Sequence, residues 1–437
     1  MLWDFALINC KFKIKHVMVE LKVITKTDLE KGILVLSPKK FAPLCKLKGH
    51  QVWIKDDLGY ELFSISNDTD EKNLRFTGLK SWYQDRNTKV HSHVIITYND
   101  GELYEKNPVI YIGYDIAETK YDACLELNNS PNLFSFATSE LSQDAFFAWF
   151  LSWANVEYKK NDESLHKCSQ DFLKLLIEED VNIKKVEVKL QWKKVDLFAT
   201  VNDKYGIIIE DKVNAQEHNN QLEVYKERCK KRCDEEGLIP KYVFIKTKDN
   251  ESIELNRKSI EKKGYKIIDR EAILLHMRNY SISNVIFMNF KSHLQQIDID
   301  EADENDRDNR FLEKLGGGEL IDRVGKTKIF NLKSGDKVFY SYIKKETERN
   351  YNYFCRVEIE KFEYAGITHW CLFDSSDKRI FKIPVDVLKK YLNAVNKGKD
   401  IYIKEEDAVW YLFYKKEIEV NITKYLSTEI WDWVDFV

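Results

Sequence analysis

Residues Lys194–Tyr225 read KVDLFATVNDKYGIIIEDKVNAQEHNNQLEVY, and this stretch decides the fold. Val195–Val201 alternates, with Asp196, Phe198 and Thr200 on one face and Val195, Leu197, Ala199 and Val201 on the other. Asn202–Gly206 supplies turn residues, with Gly206 free to take a positive φ. Ile207–Val213 forms the returning strand, so Ile208, Glu210 and Lys212 share a face and Asp211 points to the other. In such a hairpin Asp196 sits beside Glu210. Two carboxylates and an ammonium then converge at the end of two otherwise apolar strands. Burying them is costly unless something balances the charge. A divalent cation would balance it. The isoleucines on both faces of Ile207–Ile209 predict a buried central strand, which argues against a surface hairpin carrying a plain salt bridge.

Working outward, Gln221 and Tyr225 follow four apart on one face of a helix predicted over Gln216–Glu235. Upstream, Ser139 caps a helix that opens with Glu140, Gln143 and Asp144 and carries Phe146, Phe147, Phe150 and Leu151 toward a core. Glu140 and Asp144 complement the dipole of that first turn; Glu140 is also placed to reach the carboxylate cluster. A second helix spans Ser164–Glu178 and contains His166 and Asp171. A strand over Lys185–Trp192 precedes the hairpin. Strands at Lys241–Lys246 and Tyr265–Ile268 and a closing helix over Arg270–Tyr280 complete an α-β-β-β-α-β order.

From about Phe134 to Arg278 the chain resembles the PD-(D/E)XK nuclease superfamily. The pattern is carried by Asp196 and by Glu210-Asp211-Lys212, with Val195 in the place of the family's proline. Gln221, Tyr225 and the upstream Glu140 resemble the branch with a glutamine after the motif. The resemblance implies a magnesium ion, replaceable by manganese, held by Asp196, Glu210 and the carbonyl of Asp211. Glu140 would hold a second ion or a ligating water. It further implies that Lys212 orients the attacking water, that Gln221 touches the phosphate or positions Lys212, and that the products carry 5′-phosphates.

At 437 residues the chain is long enough for two or three domains. It is 43% hydrophobic and 32% charged, which is a globular composition. The net charge of −3 gives no global basic signature, so contacts to nucleic acid must use local patches. The eight cysteines form no C-x-x-C pair and read as reduced thiols; Cys229 and Cys233, four apart on a helix, have no partner pair for zinc. A cytoplasmic location is expected. No run of 18 apolar residues is present, so no membrane span is expected. In the N-terminal segment the lysines follow the apolar run, the wrong order for a signal peptide, and Met18 is an alternative start.

Residues 1–115 are rich in short β-branched and aromatic runs separated by turns, as in a sandwich or barrel. The stretch KTDLEKGILVLSPKKFAPL, with Trp82 and the later VIITY run, resembles the DNA-binding pseudobarrel of plant transcription factors and restriction-enzyme recognition domains. Lys39, Lys40, Arg75 and Lys80 are its candidate phosphate contacts. Tyr225 and Arg228 join them from the basic helix of the central domain. His91 and His93 share a strand face without a third ligand and are expected on a surface strand. Asn128–Pro131 reads as a linker. Ile297–Arg310, IDIDEADENDRDNR, lacks the glycine and terminal glutamate of a calcium loop and is expected to be an acidic linker. Gly316–Gly318 is a turn with no phosphate-loop lysine after it. Residues 311–437 mix helices with aromatic and basic strands (Tyr340, Tyr342, Tyr351, Tyr353, Trp370), which read first as a core face plus a wet face and alternatively as a nucleic-acid or dimer surface.

The expected fold class is α+β and multidomain. Residues 1–115 form a barrel-like recognition domain and 116–296 a restriction-endonuclease-like core. An acidic linker spans 297–310 and a mixed C-terminal domain 311–437. The expected function is a metal-dependent endonuclease of restriction or defence type, acting on double-stranded DNA as a homodimer. Alternatives are a structure-specific repair or mobile-element nuclease, and a nucleic-acid binder with an inactive nuclease fold.

Overall fold

The computed structural model describes residues 17–67, 74–114, 131–137, 139–192, 194–213, 221–248, 250–324, 327–345, 353–356, 366–374, 379–395, 400–414 and 418–426. The expected linker around Asn128 and the N-terminal residues before Val17 lie outside them. The chain divides into two compact units, Met1–Asp303 and Glu304–Val437.

The first unit begins with β1 (Val17–Val23), α1 (Lys26–Lys31), β2 (Ile33–Leu36), α2 (Ala42–Cys45), β3 (Gln51–Asp56), β4 (Gly59–Ile65) and β5 (Leu74–Thr77). It continues with α3 (Lys80–Asp85), β6 (His93–Tyr104) and β7 (Asn107–Tyr114). Seven strands form one barrel-like sheet in the order β1-β6-β7-β3-β4-β5-β2, antiparallel except where β3 meets β7. α1 starts as its sequence predicts. The Thr25 hydroxyl accepts the Asp28 N–H, and Asp28 returns the bond to the Thr25 N–H. Alternate residues of the strands, with Phe41, Trp82 and Tyr83, fill the interior.

The central elements are α4 (Leu133–Phe136), α5 (Glu140–Ser152), α6 (Glu163–Ile177), β8 (Val186–Trp192), β9 (Val195–Val201), β10 (Tyr205–Lys212) and α7 (Gln221–Glu236). They continue with β11 (Ile239–Lys246), α8 (Asn250–Lys262), β12 (Lys266–Asp269), α9 (Arg270–Met277) and α10 (Val285–Lys314). The sheet order is β12-β11-β10-β9-β8, with β10, β11 and β12 parallel and β8, β9 and β10 antiparallel. Every residue of β10 is buried. Its odd residues Tyr205, Ile207 and Ile209 join the core built by α5, α6 and the start of α10. Ile208 joins a second core with Phe198, Tyr225, Cys229 and Cys233 under α7. A strand covered on both faces needs apolar residues at consecutive positions, and the three isoleucines supply them.

Two expectations change here. The positive φ angles of the β9–β10 turn belong to Asn202 (53°) and Asp203 (50°), whereas Gly206 lies inside β10. A Cβ on Gly206 would come within 2.9 Å of the Cys233 sulfur, so glycine is there to let α7 approach the sheet. The acidic run 297–310 is helical. It forms the latter part of α10, and the division between the two units falls inside it. Its acids are matched by bases: Asp298 and Glu301 take the distant Arg270 at 2.8 and 2.9 Å, and Asp306 takes Arg310 one turn along the same helix at 3.2 Å.

The barrel-like sheet and the central domain share one unit. Glu271 on α9 accepts the Leu21 N–H at 2.8 Å and pairs with Lys40. His93 of β6 is 4% exposed, with its Nε2 3.4 Å from Asp298. It is therefore buried in the unit, not on a surface strand. His91 lies in the preceding turn, 2.9 Å from Asp303.

The second unit holds β13 (Gly318–Val324), β14 (Thr327–Leu332), β15 (Lys337–Lys345), β16 (Tyr353–Arg356), β17 (His369–Asp374) and β18 (Arg379–Pro384). α11 (Val385–Val395), β19 (Asp400–Glu406), β20 (Val409–Tyr414) and β21 (Ile418–Asn421) follow. Trp370, Phe381, Leu388, Tyr391 and Trp410 form its core, so Trp370 packs inward and is not a stacking surface. Tyr351 lies outside the described residues. Cys45, Cys168, Cys229, Cys233 and Cys371 are free thiols. No helix among the described residues is long and apolar enough to cross a membrane.

Candidate active site

The regular β9–β10 ladder ends at the pair Leu197–Ile209. One step further, the Asp196 carboxylate accepts the Asp211 N–H at 2.9 Å, so a side chain replaces the next ladder carbonyl. Asp196 shares with Phe198 the face under α7, where Glu210 and Lys212 also point. Lys212 Nζ lies 2.6 Å from Glu210, 3.8 Å from Asp196 and 3.9 Å from Glu140. Glu140 reaches the cluster from the first turn of α5 and accepts the Val213 N–H at 3.3 Å. Gln221 opens α7 and donates to Glu210 at 2.8 Å. The structure thus gathers Asp196, Glu210, Lys212, Gln221 and Glu140 around one point.

Burial, then the nearby Asp196 charge, push the Glu210 carboxyl up to about 8, against the opposing pull of Lys212. Burial works against the Lys212 charge, yet Glu210, Asp196 and Glu140 outweigh it and hold the ammonium above its ordinary range. Glu210 Oε2 is buried without a hydrogen-bond partner. An orphaned carboxylate oxygen beside a second carboxylate suits a hard divalent cation, which takes oxygen donors and lowers the carboxyl pKa. Among the described residues no three His, Cys, Asp or Glu side chains close into a ligand cluster by themselves. The third protein donor would then be the backbone carbonyl of Asp211.

On the opposite face of β10, Asp211 is fully buried among polar groups the sequence did not predict. Gln143 donates to it at 2.5 Å and accepts from the Thr247 hydroxyl at 2.7 Å. Gln143 thus braces β10. Asp144 lies beside Asp211, and each keeps one buried carboxylate oxygen without a hydrogen-bond partner. Burial and then the Asp196 charge push Asp144 up to about 6, and burial pushes Asp211 well above its ordinary range.

Gln191 links the two faces. Its amide donates to Asp144 at 3.1 Å and to Asp196 at 3.4 Å. It has φ 49°, and the β8–β9 ladder pairs Leu190 with Leu197 and Trp192 with Val195. The register is unbroken there, so Gln191 stands opposite Asp196, and its left-handed backbone accompanies a side chain turned toward the site. Sequence offers no signal for it, because a glutamine in an alternating strand looks like any solvated position.

Lys40 and Tyr225, among the candidate nucleic-acid contacts, are held within the protein. Lys40 is taken by Glu271, with burial opposing its charge and Glu271 and Glu20 more than restoring it. Tyr225 is 8% exposed, and its hydroxyl accepts from Gln221 at 2.8 Å, so it holds that glutamine in place. Lys39, Lys80 and Arg228 are exposed, and Arg75 is half-buried.

Residues 131–292 match the family model of the PD-(D/E)XK nuclease superfamily. No curated protein matches the chain.

Proposed function

We propose that this chain is a magnesium-dependent endodeoxyribonuclease of restriction or defence type, a reading supported by the match of residues 131–292 to the PD-(D/E)XK nuclease superfamily. The observation that carries the reading is the buried cluster of Asp196, Glu210 and Lys212, with one Glu210 oxygen left unpartnered. Such a cluster is costly to keep in a protein that only binds. Magnesium, or manganese in its place, would be held by Asp196, Glu210 and the Asp211 carbonyl, with Glu140 beside it. When bound it supplies an activated water and a counter-charge for a phosphate oxygen.

The protein's own groups do the rest. Lys212 Nζ orients the attacking water and offsets charge growing on the non-bridging oxygens. Gln221 fixes the Glu210 oxygen that Lys212 also touches, and Tyr225 fixes Gln221. The Asp211 N–H holds Asp196 toward the cluster. The products carry 5′-phosphates. The barrel-like sheet reads the site through Lys39, Arg75 and Lys80, Arg228 follows the backbone, and two copies cut the two strands.

The test is digestion of unmodified and methylated plasmid with magnesium, with and without EDTA. Discrete bands that require magnesium support the reading. Cutting that follows flaps, ends or nicks would replace it with structure-specific cleavage, and salt-dependent binding without cutting would leave a binder.

A further inference from the structure

Gln191 stands opposite Asp196 near the end of the β8–β9 ladder, and its amide nitrogen is shared by two carboxylates, Asp144 at 3.1 Å and Asp196 at 3.4 Å. The two acids differ in setting. Asp144 is 1% exposed and its Oδ1 has no hydrogen-bond partner. Asp196 is half-buried and belongs to the cluster with Glu210 and Lys212. Two neighbouring carboxylates repel unless a donor lies between them. A primary amide carries two N–H groups, so one nitrogen serves both acids without adding charge.

Asp196 is thereby held by both of its oxygens. Its Oδ2 accepts the Asp211 N–H at 2.9 Å, and its Oδ1 accepts the Gln191 amide. A carboxylate held at both oxygens keeps one orientation, and a ligand fixed before the ion arrives loses less freedom on binding it. The backbone is turned to allow this. Gln191 has φ 49°, a conformation disfavoured for a residue with a side chain, and Trp192 returns to the ladder opposite Val195. Gln191 is exposed, so the turn gains no packing for its side chain. What it does gain is the pair of hydrogen bonds to Asp144 and Asp196.

We propose that Gln191 is a positioning residue of the metal site: it keeps the buried Asp144 carboxylate apart from Asp196 and holds Asp196 ready to ligate the ion. The inference rests on the nuclease reading and deepens it, because it adds the edge strand β8 to β9, β10, α5 and α7 as a builder of the site.

The experiment is calorimetric titration of manganese into the full-length, DNA-free protein, for wild type, Gln191→Gly and Gln191→Ala. Glycine accepts the left-handed backbone and alanine strains it, while both delete the amide. Both variants should bind manganese roughly 10-fold more weakly, the loss expected when a group that orients a metal ligand is removed. The magnesium concentration that gives half-maximal plasmid cleavage should rise by the same factor. If Gln191→Gly binds manganese as tightly as wild type, the inference is overturned, even where Gln191→Ala is impaired, since the backbone alone would then account for the residue. If wild type itself binds no manganese and cuts nothing in magnesium, it is the nuclease reading that has failed.

Discussion

At the scale of single residues, the site is defined by which charges are kept and which are compensated. Lys212 touches all three carboxylates of the α7 face, so it is the group whose loss is least replaceable. Lys212→Ala should lower the single-turnover cleavage rate by at least about 10²–10³-fold, while duplex affinity in EDTA stays within a few-fold of wild type. Near-normal cutting would remove Lys212 from the chemistry. Glu210 carries a pH signature. Its ordinary value is 4.5 and in the folded protein it is pushed up to about 8, so the protonated form is favoured on folding. Metal-free stability should therefore fall as pH rises through this window and level off above it. Glu210→Gln should flatten that fall and stabilise the metal-free protein at pH 8 by on the order of 1–3 kcal/mol. Urea unfolding across pH checks this, and an unchanged slope would contradict it. The motif was legible because Asp196, Glu210 and Lys212 lie on adjacent strands with a fixed period of two. Gln191 was not, because its positive φ is a local backbone feature that no residue type announces.

At the scale of elements, β10 divides its work between two faces. Glu210 and Lys212 face the cluster with Asp196 and Glu140, and Asp211 faces a polar brace of Gln143, Asp144 and Thr247. Asp211→Ala should cost about 1–3 kcal/mol of stability, because it strands buried partners, and should reduce cleavage far less than Glu210→Ala. Equal losses of cleavage would overturn the division of faces. Alternation along the strand predicted this phase, and the alternating and amphipathic patterns predicted the flanking helices and strands. What they could not predict was the role of Gln143, which looks like a helix-start residue until α5 is laid against β10. The acidic segment of α10 was misread for the same reason. Isolated in sequence it looks like a solvated linker, but its acids find Arg270 and Lys328 only after folding.

At the scale of the molecule, the barrel-like sheet and the central domain are one compact unit with buried polar joints. Arg270 is 1% exposed and is held by Asp298, Glu301 and the Thr247 carbonyl. The same Asp298 faces His93 of the barrel-like sheet, and the same Thr247 reaches Gln143 behind β10. Removing one partner of a buried charge network is expensive, so Arg270→Ala should destabilise the first unit by about 3–5 kcal/mol. Urea denaturation followed by tryptophan fluorescence checks this, and a loss below about 1 kcal/mol would mean that the joint is not structural. The sequence indicated separate recognition and nuclease domains from their change in pattern. It carried no sign of the joints between them, because Lys40, His93 and Arg270 find their partners far along the chain. The central claim is that one buried cluster cuts nucleic acid with a divalent ion. The most direct test is single-turnover cleavage of DNA by wild type and Glu210→Gln side by side, in magnesium and in EDTA. Cutting by wild type in magnesium only, with none by Glu210→Gln in either condition, is the predicted result. Cutting by Glu210→Gln at the wild-type rate would contradict the account.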